Sequence, residues 1–440
     1  VTGSLDVTLT STTDTEGETV TLNEVDGEAG YFRGSIPVGV ASVNLFNEDL
    51  LPARIAELRN AYPDRSDEDL RSLARGQLVQ EAINNPPANT STREQDGILQ
   101  AGSGDMVVIT YEDALNDYGE SVTITDQKVY GGWAGEVSGT WTAENNPYVV
   151  TGDIYVQPGQ TLIIEAGVQV RFFGNHNFTS YGTINIEGTE SDSVYFMNHI
   201  NSDEDNIPSW EGLYIYGWNI PESITMKYTS VSGADAYTSV ELYGIYNTPV
   251  SIENSTFRNN GNYGLRLSDV YDHADPVVIK NITCKNNDDG MLTSYTSNGS
   301  HRILVENSIF SNNQEAGLYL SSSSSGEWTG NTFTNNGWVG VYISGPDPSI
   351  SLQSSNIYGN TGSYDIQVDC CDYTSQEVDF RNSYWGETTT AEMNEGNNPK
   401  NINRIYDWYD MDEQGMVVNY AGWVQSENTP EINYSLSFDG

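Results

Sequence analysis

Five stretches decide the fold when they are set one beneath another: ENSTFRNNGNYGLRLS (253–268), KNITCKNNDDGMLTS (280–294), ENSIFSNNQEAGLYLS (306–321), TGNTFTNNGWVGVYIS (329–344) and QSSNIYGNTGSYDIQV (353–368). One apolar position recurs in them as Phe257, Cys284, Phe310, Phe333 and Ile357, at steps of 27, 26, 23 and 24 residues. Val231 continues the series 26 residues upstream, and Phe196 lies 35 before Val231, so that coil carries a longer loop. A period in the mid-twenties is the length of three short strands and three turns. Such a unit cannot bury its own apolar side, and stacking makes the core. The expected fold is all-β: a right-handed parallel β-helix over about 134–424, each coil advancing about 4.8 Å and nine or so coils making a rod of roughly 45 Å.

Asparagine punctuates the repeat. Asn259, Asn286, Asn312 and Asn335 follow the inward position by two residues, where a sharp turn favours a residue that tolerates left-handed backbone angles. Stacked amides can also hydrogen-bond from coil to coil. The tripeptides at Asn254 and Asn281 match the glycosylation pattern, but their place on the repeat favours turn or ladder duty.

Residues 1–133 read differently. Strands alternating apolar and polar residues begin near Val7, Glu18, Gly30, Gly97, Met106 and Ser121, the pattern of a β-sandwich. Between about 47 and 85 the spacing turns helical. Leu51, Ile55 and Leu58 share one face, and Leu70, Leu73, Leu78 and Val79 lie near a second, so a helical hairpin is expected as an insertion. Ser66, with Asp69 three residues on, offers a weak capping box. Residues 425–440 are expected to lead into a further module of a longer chain.

Composition bounds the function. The 440 residues carry 62 acidic and 18 basic side chains, a net charge of −44. That charge repels phosphate backbones, anionic membranes and uronate-rich polysaccharides, and it suits calcium, cationic partners or high salt. The three cysteines, Cys284, Cys370 and Cys371, form no CxxC motif and supply neither a zinc site nor a disulfide framework. No apolar run has the length of a membrane helix. The four histidines, His176, His199, His273 and His301, follow no metal-site spacing.

Two resemblances add to this reading. NSYWGETTT (382–390) and INRIYDWYDMDEQGMVVNYAGWV (402–424) resemble the closing coil of secreted bacterial β-helix proteins, NosD-like ones among them, in the wider pectate-lyase-like superfamily. The pieces are Trp385-Gly386, Ile405-Tyr406-Asp407, Asp410, Gly415, Val417, Tyr420 and Trp423. PYVVTGDIYVQPGQTLIIEAGVQVRF (147–172) resembles the opening of the same proteins. No copper role carries over, because no Met/His/Cys constellation is present. ETVTLNEVDGEAGYFRGSIPV (18–38) and DGILQAGSGDMVVITYED (96–113) resemble Ig-like modules of large bacterial surface proteins. These resemblances imply a secreted or cell-surface location, with neighbouring modules as partners.

Candidate chemistry is sparse. Asp288 and Asp289, with Asp269, Asp272 and Asp275 expected in the preceding loop, are the nearest approach to an acid–base pair. The signatures of polygalacturonase-like hydrolases are absent. The modest basic cluster Arg258, Arg266, Lys280, Lys285 and Arg302 reads as screening of an acidic surface. Calcium would be taken by Asp203, Glu204, Asp205 and Asn206, or by Asp407, Asp410, Asp412 and Glu413. Tyr214, Tyr216, Trp218, Tyr243, Tyr246, Tyr263, Tyr319, Trp338 and Tyr342 fall on or beside repeat strands, where exposed rings would form a glycan platform. The sequence therefore sets a non-catalytic surface protein, for adhesion, glycan binding or spacing, against a polysaccharide-degrading hydrolase or lyase.

Overall fold

The computed structural model describes residues 3–12, 14–25, 31–39, 51–61, 70, 74, 98–101, 105–113, 121–199, 210–219, 221–235, 238–271, 276–296, 303–321, 324, 326–345, 350–369, 377–411 and 415–428. The chain divides into two units, with a boundary between Gly132 and Trp133.

In the first unit, five strands form one antiparallel sheet in the order Phe32–Arg33, Glu18–Glu24, Ser4–Ser11, Met106–Asp113, Val122–Val129. The alternation of the sequence is visible in Val7 and Val20, which are buried and face each other across the first pairing. Val38–Gly39 and Leu99–Gln100 make a separate parallel pair. Helix α1 (Leu51–Ala61) lies in the expected helical stretch and carries proline at its second residue, where the missing N–H costs nothing. Leu58 packs with Leu70 and Ala74, and Ile55 rests against them. Ser66, Asp69, Leu73, Leu78 and Val79 lie outside the described residues.

The second unit is built from coils of three strands. One coil runs Val250–Glu253, Thr256–Arg258, Tyr263–Tyr271, and each strand pairs in parallel with its counterpart one coil on. The first strands form an eight-stranded parallel sheet, from Gly139–Trp141 to Glu327–Thr329. Second and third strands form the other two faces, which meet in the long strand Tyr148–Val156.

The inward column on the second face is the one the repeat implies. Phe196, Val231, Phe257, Cys284, Phe310, Phe333 and Ile357 are register partners on successive coils, and all are fully buried. The 35-residue step from Phe196 to Val231 is still one coil. Phe310 and Phe333 stack at 5.1 Å and 11°. Burial raises the Cys284 thiol well above its usual range, so this cysteine serves as a small apolar core residue.

The paired asparagines divide their labour. Asn259, Asn286, Asn312 and Asn335 have φ of 54°, 56°, 55° and 57°, and Gly359 takes 70° at the same place. They are turn residues, as are Asn254 and Asn281 at 51° and 53°, and at the surface Asn286 donates to Asn259 at 3.2 Å and Asn281 to Asn254 at 3.1 Å. The buried ladder is made by the following residue. Asn260, Asn287, Asn313 and Asn336 each donate an amide N–H to the Oδ1 of the next coil's asparagine, at 3.0, 3.3, 2.9 and 2.9 Å. Asn360 donates to Asp365 at 2.8 Å, and Arg404 clamps that carboxylate at 2.9 and 3.0 Å. Burial of so many amides is tolerated because each finds partners. A glycine column makes room for them: a β-carbon at Gly264, Gly290, Gly317 or Gly340 would fall within 2.7–2.9 Å of a ladder amide nitrogen.

The closing coil brings together pieces scattered in sequence. Trp385 and Met393, at the ends of helix α2 (Gly386–Asn394), join the core with Ile405, Val418 and Tyr420. Trp423 packs against that core. Among the described residues, no helix is long and apolar enough to cross a membrane.

Candidate functional site

The aromatic candidates gather on the third face. Its outward side chains follow one register across ten levels: Tyr155, Thr179, Tyr214, Glu241, Arg266, Leu292, Tyr319, Tyr342, Gln367 and Tyr406. A second outward row lies two residues further along each strand and begins Tyr216, Tyr243, Ser268, Ser294.

Two aromatic groups result. In the first, Tyr181 stacks on Tyr216 at 5.2 Å and 14°, Tyr216 meets Tyr243 edge-on at 6.0 Å, and Trp218 lies 5.4 Å from Tyr243. Tyr181 is 38% exposed and Trp218 64%, far more than core rings allow. Tyr246, also exposed, lies further along the same strand as Tyr243. In the second group, Tyr342 meets Tyr319 at 4.8 Å and Trp338 at 4.9 Å. Tyr263 opens its strand beside Asp289.

Between the groups sits a polar patch that sequence reasoning did not single out as a site. The Glu241 carboxylate, 10% exposed, pairs with the Arg266 guanidinium at 2.7 Å. Burial raises the Glu241 pKa; Arg266 opposes that rise and Asp269 adds to it. The Tyr243 hydroxyl donates to Asp269, and that bond is the main reason its pKa is raised. Burial, with Glu211 and Glu241 nearby, pushes Tyr214 up to about 12. Tyr342 is pushed to about 12 by burial and then by Asp369. These phenols stay protonated at neutral pH, so they donate hydrogen bonds. Asp269 lies within the strand Tyr263–Tyr271, not in a loop before the Asp288 pair. Arg266 is held by Glu241 rather than spread over the acidic surface.

Asp288 and Asp289 stand at the start of the next third-face strand. Asp289 Oδ1 accepts the Ala316 N–H at 2.8 Å, which ties two coils together. Burial lifts Asp289 to about 6, and burial with Asp235 also raises Asp288.

Asp407 serves its own turn. Its two oxygens accept the amides of Tyr409 at 3.1 Å and Val418 at 2.8 Å. Asp410 accepts from Asn401 and from the Asp407 amide. Asp412 and Glu413 lie outside the described residues, as do Asp203, Glu204, Asp205 and Asn206. Among the described residues, no three His, Cys, Asp or Glu side chains converge as metal ligands. Asp272, Asp275, His273, His301, Arg302, Cys370 and Cys371 also lie outside the described residues.

A family model for the right handed beta helix region matches residues 295–428. The second unit is a right-handed parallel β-helix. No curated protein matches the chain. Among solved structures, it is similar to the A-module of mannuronan C-5 epimerase AlgE4 from Azotobacter vinelandii. The identity is 15%, the match covers 65% of this chain and 82% of that one, and the TM-score is 0.33.

Proposed function

We propose that this chain is a non-catalytic, extracellular or cell-surface protein whose β-helix binds polysaccharide along its third face. The observation that carries this reading is the strip Tyr181, Tyr216 and Tyr243 on three successive coils, with Trp218 beside them; the Tyr181 and Trp218 rings are exposed and the other two half-buried. Coils repeat about every 4.8 Å, an advance comparable with one sugar unit of an extended glycan. Aromatic faces take the apolar faces of pyranose rings, and adjacent phenols and carboxylates supply hydrogen-bond donors and acceptors.

A specific observation favours the second reading, a polysaccharide-degrading enzyme. Glu241, a carboxyl with a raised pKa, lies beside Arg266 and near Asp269, and paired carboxylates are the machinery of glycoside hydrolysis. One experiment separates the two. The protein is incubated with marine and plant polysaccharides while binding, reducing ends and unsaturated uronate are followed. Binding without turnover supports the proposal. Turnover abolished by Glu241→Gln or by Asp288→Asn with Asp289→Asn establishes the enzyme.

The first unit is proposed as an Ig-like module of a tandem surface chain, on its antiparallel sheet and its sequence resemblance. A folded, cooperatively melting fragment 1–132 is expected, and a fragment that does not fold alone contradicts it.

A further inference from the structure

Gly244, Asp269 and Tyr295 occupy one register position on three successive third-face strands. The pairs Tyr243 with Ser268 and Ile245 with Val270 bracket the first step, and Ser268 with Ser294 fixes the second. All three residues are left-handed, with φ of 63°, 54° and 53°. Glycine adopts such angles freely and aspartate tolerates them, but a tyrosine there is strained. The strand resumes its pairing beyond the kink, at Val270 and Tyr271. Strain that persists inside regular structure is often kept where a side chain must point a particular way.

The side chains around the kink are suited to a sugar. Trp218 lies directly over Gly244, in space that a β-carbon would fill. Tyr295, one strand beyond Asp269, is 53% exposed. Asp269 is half-buried and accepts the Tyr243 hydroxyl, and a carboxylate has lone pairs for further donors. The carboxylates of Glu241 and Asp269 lie on these strands, and the Arg266 guanidinium is bonded to Glu241. A uronate would bring its negative charge against these groups and against a chain of net charge −44.

We infer that the third face between Trp218 and Tyr295 is a subsite for a neutral pyranose unit, with Asp269 accepting the sugar hydroxyls that set its orientation. This rests on the glycan-binding reading and narrows it to uncharged polysaccharides. Asp269 is the specificity-determining residue, and the two rings mark the ends of the subsite.

The test is calorimetric titration of the whole chain with two sets of hexasaccharides. The neutral set is cello-, manno-, xylo-, laminari- and maltohexaose; the acidic set is hexagalacturonate and hexamannuronate. At least one neutral probe is expected to bind and neither acidic probe. Asp269→Asn should weaken that binding at least tenfold with an unchanged melting temperature. Asp269→Gly, whose backbone suits the kink, should weaken it equally and melt no lower. Tighter binding of an acidic probe, or native affinity in both Asp269 variants, overturns the inference and leaves glycan binding standing. Failure of both sets to bind overturns the glycan reading itself.

Discussion

The indole of Trp218 rests on the backbone of Gly244, one coil along, and a side chain at position 244 would collide with its Nε1. Gly217 makes the same kind of contact with Ile245, where an added β-carbon would come within 2.7 Å of the Ile245 Cα. Two missing side chains thus let an exposed tryptophan approach the backbone of the third face. The strip depends on backbone that carries no chemistry of its own.

Gly244→Ala should therefore displace Trp218 and weaken glycan binding as much as Trp218→Ala does. The double variant should bind no worse than either single one, because both remove the same contact. Titration of the three variants checks this. Additive losses would mean that Gly244 serves some other purpose.

The Phe310–Phe333 stack predicts where the rod is most sensitive. Phe310→Ala leaves a void between fully buried neighbours and should cost about 3–5 kcal/mol. Coils contact chiefly their neighbours, so hydrogen exchange should rise most in the strands on either side. Chemical denaturation gives the size of the loss, and exchange gives its location.

Asn313 donates to Asn336 and to the Cys284 carbonyl while accepting from Asn287. Asn313→Ala strands these partners in the core, and a cost of about 1–3 kcal/mol is expected. Asn312→Ala removes a left-handed turn residue at the surface and one long bond to Ser311, so its loss should be smaller. Equal melting temperatures for the two variants would contradict the division of labour between paired asparagines.

His199 predicts a pH effect. Burial, and then the Arg171 cation, lower its pKa from 6.5 to about 4. The unfolded chain takes up this proton more readily than the folded one, so stability falls as pH drops from about 6.5 towards 4. Asp289 and Asp407, both raised to about 6, act in the opposite sense: their protonation favours the fold, and their contribution shrinks as pH rises through 6. His199→Gln should remove that loss, so that between pH 6.5 and 4 its melting temperature falls less, or rises more, than that of the native protein. An unchanged slope would show that His199 does not carry it.

The fold was legible because its core position recurs by residue type. Phe257, Cys284, Phe310 and Phe333 differ little in what they demand, and coils of similar length, in steps of 27, 26 and 23 residues, relate them. The ladder was half legible. In each Asn-Asn doublet both residues repeat with the same period, so sequence placed ladder and turn on Asn259 and its equivalents together. Only backbone twist sends the second of each pair inside. The third-face site was hardest to read. Its outward register holds Tyr214, Glu241, Arg266, Leu292 and Tyr319, which share no chemistry. Tyrosine was noticed because it is abundant; Glu241 was not, and Asp269 was read only as a loop companion of Asp288, because an acid among 62 carries no signal until a guanidinium or a phenol is found against it.

The most direct test of the central claim is affinity electrophoresis through gels cast with each of several neutral polysaccharides. The native protein is compared with a variant carrying Tyr216→Ala, Trp218→Ala and Tyr243→Ala. At least one polysaccharide is expected to retard the native protein, while the triple variant, with an unchanged melting temperature, runs as if the polysaccharide were absent. Equal retardation of the two proteins would place binding away from the third-face strip and contradict the account.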